Sequence, residues 1–258
     1  MGRNKENEMK KNEVTVKEAS LPASVEATTS WGLDETISGA DVRIPRILLT
    51  QAISERVVQD KCQAGDMVNS ITGEVLAEKK GTVNIVPIYI YKDWSISEEI
   101  GGKFEFKMLE AYTAQNANRP WEEVVAGVKV QNNLGINVLC MLEKDLSDPT
   151  AFPFLMTFRR TNSACGKDIA GYGVKASQAQ APACMFTITI GTESKKNSKG
   201  SFYINKIVGA KKTEKLNEVA MDLKKWYDLF KQGKAVVVDS EVEATDAIID
   251  GKEFDGQF

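Results

Sequence analysis

Lys195, Lys196 and Lys199 stand within a few positions of Phe202 and Tyr203, in the run ESKKNSKGSFY. Cations beside flat rings are what a single nucleic-acid strand requires. Lysines neutralise phosphates and release counterions, while rings stack on unpaired bases at ~1–3 kcal/mol per base. The same residue types meet at Tyr89, Tyr91, Lys92 and Trp94, and again at Phe158, Arg159 and Arg160, with Lys167 and Lys206 nearby in the sequence. For each aromatic alone, core packing competes with stacking. Strand alternation implies that only one of Tyr89 and Ile90 faces the core. For each lysine, the competing role is that of a solvated surface charge.

The charge layout extends this pattern. Residues 151–238 hold fifteen Lys and Arg against six Asp and Glu, a net charge of +9. Residues 239–258 hold seven acidic residues against Lys252 alone, a net charge of −6. The overall charge of −3 hides this opposition. Such asymmetry points to nucleic-acid chemistry. The acidic segment keeps apolar residues, among them Ile248, Ile249, Phe254 next to Asp255, and Phe258. An acidic tail with a final Phe is a device that many bacterial and phage single-strand binders use to recruit replication proteins, and its carboxylates can occupy the basic groove when that groove is empty.

Enzyme chemistry finds few residues to work with. The sequence has no His, which removes the commonest general base and every Ser-His or Cys-His nucleophile. Cys62, Cys140, Cys165 and Cys184 are widely spaced, so they read as reduced, buried thiols rather than zinc ligands. Neither a phosphate-binding glycine loop nor a nucleophile elbow is present. The expectation is a non-enzymatic protein without metal or cofactor. No apolar run approaches the ~20 residues of a membrane span, and no signal peptide opens the chain, so a cytoplasmic location follows.

The elements that must position these residues are mostly strands. Residues 1–30 lack aromatics and read as a flexible arm. Residues 31–238 read as one domain, followed by the acidic tail at 239–258. A short hairpin turns at Ile71-Thr72-Gly73. Residues 82–91 form a strand in which Pro87 marks an edge or a bulge. Phe104, Phe106 and Met108 alternate with charges in a half-buried strand. Residues 124–130 and 136–142 are two strands, with Asn132-Asn133-Leu134-Gly135 as the turn between them. Residues 154–160 are a further strand. A small-residue helix covers 164–177. Residues 184–190 and 201–208 pair across a long polar loop. A helix capped by Thr213 runs to Lys231, with Leu216, Val219, Leu223, Trp226, Tyr227 and Phe230 on one face and Gly233 ending it.

This order gives a mainly β fold, an OB-like β-barrel with a short helix between strands and a C-terminal amphipathic helix. The barrel plan needs five strands, its helix falling between the third and fourth, whereas six or seven are predicted. A β-sandwich with helical additions is the alternative. The segments Asp41-Val42-Arg43-Ile44-Pro45-Arg46 through Gln51, Ala64-Gly65-Asp66, Asn69 to Glu74 and Val86-Pro87-Ile88-Tyr89 resemble a family of phage-encoded proteins. The later Phe158-Arg159-Arg160-Thr161 and Lys199 to Tyr203 are similar to phage OB-fold single-stranded-DNA-binding proteins. The resemblance implies sequence-independent binding of single-stranded DNA in host cytoplasm. It adds replication or recombination proteins as partners of Phe254, Asp255 and Phe258, and further copies of the chain as another candidate partner. The competing expectation is a phage structural or inhibitor protein that binds protein instead.

Overall fold

A computed structural model describes residues 43–198 and 200–231. The expected arm and the acidic tail with Phe254, Asp255 and Phe258 lie outside the described residues, as do Gly233 and Lys199. In chain order the elements are β1 (Ile47–Leu49), α1 (Glu55–Val58), β2 (Met67–Asn69), β3 (Val75–Ala77), β4 (Thr82–Ile100), β5 (Lys103–Ala111), β6 (Glu122–Val125), β7 (Val128–Leu142), β8 (Phe154–Phe158), α2 (Ser163–Gln178), β9 (Phe186–Asn197), β10 (Gly200–Lys212) and α3 (Leu216–Lys231). The chain is mainly β. A three-stranded sheet runs β1-β2-β3, and a seven-stranded sheet runs β10-β9-β4-β7-β6, with β5 on β4 and β8 on β7. Every pairing between strands is antiparallel. Among the described residues no ladder joins the ends of this path, and an isolated parallel bridge between Arg46 and Leu155 links β8 to the segment before β1. No helix among them is long and apolar enough to cross a membrane.

The large sheet buries both of its faces. Val83 and Ile85 of β4 and Ile136, Val138 and Cys140 of β7 form one core with Cys165 and Ile169 of α2 and Ile47 of β1. Val86 and Ile88 with Leu139 and Met141 form the other, against Val219 and Leu223 of α3. Two helices covering two faces explain why the central strands are apolar almost throughout. All six apolar residues anticipated for the C-terminal helix, Leu216 to Phe230, pack in this second core.

Pro87 sits at a bulge, as anticipated, but in the most central strand rather than at an edge. The register shifts between Pro87 and Tyr89, and a bulge is a place where a strand tolerates a residue without an N–H. Past the bulge the alternation changes phase. Tyr89 then packs on the α3 side and Ile90 on the α2 side. Both are covered because there is a core on each face, so the expectation that only one of them meets a core is corrected.

Two expected turns are also corrected. Asn132-Asn133-Leu134-Gly135 runs straight through β7. The reversal falls at Ala126 and Gly127, with φ 52 and 84, a two-residue hairpin turn that needs positive φ at both positions. The Asn pair is buried in the strand because its amides are used there. Asn132 Nδ2 donates to Pro120 O at 3.0 Å and Glu123 Oε1 at 2.8 Å, and Asn133 Oδ1 accepts from Arg160 Nε at 2.9 Å. The long polar loop after residue 190 is instead ladder, since β9 continues to Asn197 and pairs with β10 up to Gly200. Thr213 is buried, with its hydroxyl 3.2 Å from that of Thr187, and lies before α3 without capping it.

Candidate nucleic-acid interface

Much of the anticipated aromatic surface is packed inside the protein. Phe158 is 0% exposed and lies in the α2-side core. Trp94 is 5% exposed, stacks on Tyr112 with centroids 6.3 Å apart, and donates from Nε1 to Asn116 Oδ1 at 3.2 Å. Tyr89 and Tyr91 stack on each other at 5.4 Å beneath α3, where Tyr89 meets the edge of Tyr227 and Tyr91 lies 5.5 Å from Phe230. Arg159 is 6% exposed and ion-paired to Asp93 at 2.8 Å. Phe158, Trp94 and Arg159 are therefore corrected from strand-contacting to structural positions, and the ring faces of Tyr89 and Tyr91 serve α3. The physical reasons differ: α2 covers Phe158, α3 covers Tyr89 and Tyr91, Trp94 packs with Ile96, Val130 and Tyr112, and Arg159 is drawn inward by Asp93.

The β9–β10 hairpin keeps the anticipated mixture of charges and rings. Pairing of β9 with β4 ends at Gly191, so Thr192–Asn197 pairs with β10 alone and the hairpin end is a two-stranded ribbon. Register places Lys195 opposite Phe202 and Lys196 opposite Ser201. Alternation then separates the two lysines. Lys195, Phe202 and Lys206 share one face with Glu193, and Lys196 shares the other with Tyr203 and Asn205. Glu193 Oε1 lies 2.7 Å from Lys195 Nζ, and Oε2 lies 3.7 Å from Lys206 Nζ. The hydrogen bond from Lys195, followed by the charge of both lysines, holds the Glu193 carboxyl below the usual range. One carboxylate thus faces two cations. Lys167 is exposed on α2, and Lys92 lies 4.8 Å from the Tyr112 ring centroid, farther along β4 than the Thr82–Ile85 stretch that pairs with β9.

Tertiary pairing adds residues that sequence reading passed over. Lys79 Nζ lies 5.3 Å from the Tyr203 centroid, and the Lys80 amide donates to Thr192 Oγ1 at 3.3 Å. The Lys79 amide donates to the buried Asp66 carboxylate at 2.6 Å, which fixes its chain segment beside the ribbon. Gln51 clamps the ribbon from the other side. Its Nε2 donates to Tyr203 O and its Oε1 accepts from Tyr203 N, both at 2.9 Å. The Lys79-Lys80 doublet was visible in the sequence, but nothing local joins it to a strand more than a hundred residues away.

The segment Ile44-Pro45-Arg46 finds a role here as well. Ile44 is in the α3-side core, Pro45 O accepts from Leu155 N at 2.9 Å, and Arg46 lines a cleft of about 90 Å³ together with Gln51, Arg159, Arg160 and Asn205. Arg160, at φ 49, crosses the Trp121 ring at 5.5 Å, and that indole is 45% exposed. The basic ribbon, the Arg-lined cleft and a ring capped by Arg160 are thus linked through Tyr203, Gln51 and Asn205.

No curated protein and no solved structure matches the chain. The family model described as Pam3 phage gp34-like protein matches residues 14–237, and the chain belongs to that family.

Proposed function

We propose that this phage-family protein binds single-stranded DNA without sequence preference, in replication or recombination, through the β9–β10 ribbon. The observation that carries the reading is the end of that ribbon. Lys195, Lys196 and Lys206, with Lys79 and Lys80 beside them, surround half-buried Phe202 and Tyr203, against Glu78 and Glu193 as counter-charges. Phosphates meet the lysines and bases stack on the rings. The acidic tail competes with the strand for these cations, while Phe254, Asp255 and Phe258 recruit a replication or recombination partner.

Fluorescence anisotropy with a labelled dT oligonucleotide tests the reading. Affinity should fall linearly in log salt, and duplex of equal length should bind more weakly. Equal affinity for duplex would remove the stacking role of the rings, and absence of binding at low salt would end the proposal. A protein-binding role is favoured by one observation, the exposed Val124, Val125 and Val128 at the β6–β7 hairpin. That reading predicts concentration-dependent association without oligonucleotide.

A further inference from the structure

We infer that Thr50-Gln51 and Gly65-Asp66 build a socket that presents Tyr203, with Lys79 at its ring, as the base-stacking unit of the strand site. This rests on the strand-binding reading and narrows it to one face of the ribbon. Three contacts converge on Tyr203. The Gln51 side-chain amide takes both of its backbone groups, donating from Nε2 to the carbonyl and accepting the N–H at Oε1, each at 2.9 Å. β10 ends the sheet path, so Gln51 supplies there what a further strand would. Gly65, at φ 98, lies against the ring, and a Cβ there would stand 2.8 Å from Tyr203 Cδ1 and Cε1. Lys79 Nζ is the third contact, 5.3 Å from the ring centroid.

A buried polar network holds the socket. Thr50, Gln51 and Asp66 are all buried. The Gly65 amide donates to Thr50 O and the Thr50 amide to Asp66 O, both at 2.9 Å, while the Thr50 hydroxyl donates to Gln63 O at 2.6 Å. One Asp66 carboxylate oxygen accepts from the Gln63 amide at 2.8 Å and the other from the Lys79 amide at 2.6 Å. A single carboxylate thus ties the turn that carries Gly65 to the segment that carries Lys79. Groups buried this deeply are costly unless satisfied, and the bonds that satisfy them hold Gln51, Gly65 and Lys79 around one tyrosine. A ring fixed in this way loses little freedom when a base stacks on its open part.

Charge favours the same face. Lys196 shares the Tyr203 face of the ribbon, and the Lys80 amide is tied to Thr192 on that face. Among the described residues no carboxylate forms an ion pair with Lys79, Lys80 or Lys196. On the opposite face Lys195 and Lys206 share Glu193. A phosphate on the Tyr203 face therefore meets cations without displacing a carboxylate.

Anisotropy with the full chain, a dT oligonucleotide and an abasic strand of equal length separates stacking from charge. Tyr203→Leu should weaken dT binding at least about fivefold, the loss of one stacked base, and the loss should be absent on the abasic strand. Gln51→Leu frees the backbone that carries the ring and should lose about threefold, again on dT alone. Combined with Tyr203→Leu it should lose no more than Tyr203→Leu by itself. A Gln51→Leu loss that is equal on both strands, or that adds in full to the double variant, gives Gln51 a purely structural role and overturns the inference. Lys79 is exposed, so Lys79→Ala keeps the test open should Gln51→Leu fail to fold. It should weaken both strands and make the salt dependence shallower, and an unchanged isotherm overturns the inference. Phe202→Leu should lose less on dT than Tyr203→Leu. An equal or larger loss moves the strand to the opposite face, which sinks the socket's role and leaves strand binding standing. A parent protein that binds no dT at low salt ends both.

Discussion

Arg159 donates from Nη2 to Oδ1 of Asp93 at 2.8 Å, and this buried pair lies over Gly135. Asp93 and Gly135 are register partners across β4 and β7. A Cβ at Gly135 would collide with Asp93 Oδ1 and stand 2.9 Å from Arg159 Nε. The absence of a side chain at Gly135 is thus what admits the ion pair. Removing one partner of a buried pair leaves an uncompensated charge, at a cost of ~3–5 kcal/mol. Asp93→Ala should lose about that much in urea denaturation, and Gly135→Ala should be clearly destabilised as well. Replacing both partners, Asp93→Val with Arg159→Met, should be milder than Asp93→Ala alone. A double variant as weak as that single one would show that the cost is packing, not charge.

The rings beneath α3 give a test that separates structure from binding. Phe230→Ala strips the ring that packs on Tyr89 and Tyr91 and should destabilise by ~2 kcal/mol, as expected for a part-buried aromatic. Below the melting range, its dT affinity should equal that of the parent protein. Weaker dT binding by the folded variant would return these tyrosines to the interface.

For the ribbon, Lys195→Ala, Lys196→Ala and Lys206→Ala combined should weaken dT binding and flatten its salt dependence. Each phosphate that is no longer neutralised makes the slope of log affinity against log salt shallower by ~0.7 on a single strand. The three lysines are exposed, so the melting temperature should barely move. An unchanged isotherm would leave these lysines with solvation alone.

Deleting residues 239–258 removes a segment of net −6 tethered to a basic body. Held at high effective concentration, it competes with a polyanion, and screening weakens that competition. The truncated protein should bind dT more tightly, with the gain largest at low salt. Weaker binding by a folded truncation would place the tail within the binding domain instead.

Alkaline pH should destabilise the fold through its thiols. Burial pushes the Cys165 thiol up to about 12 and Cys140 higher still. Both pKa values are raised on folding, so the stabilisation is fully present below the unfolded thiol value and is lost as pH rises toward the folded one. Above pH ~8.5 each of these thiols should cost about 1.4 kcal/mol of stability per pH unit, because only the unfolded chain ionises. Urea midpoints at pH 8 and pH 10 measure it, and the lack of His leaves no imidazole titration in that range. A flat profile would mean that the thiols ionise within the fold.

Local pattern alone determined a good deal about this protein. The β-rich order, the helix face from Leu216 to Phe230, the hairpin at Gly73 and the bulge at Pro87 depend on side-chain period and backbone chemistry, which neighbours in sequence already specify. Tertiary structure decided which faces stay open. Phe158 and Tyr89 look like stacking rings until helices cover both sides of the sheet, and Trp94 until Tyr112 and Asn116 close over it, and no period reveals that cover. Gly135 reads as a turn because its real partner, an ion pair between strands β4 and the end of β8, is assembled from residues far apart. Lys79, Gln51 and Asn205 gain their places only because Tyr203 and the ribbon fold back onto segments more than a hundred residues earlier. Burial and long-range register are properties of the whole chain, so they settle a side chain's role where residue type leaves both roles open.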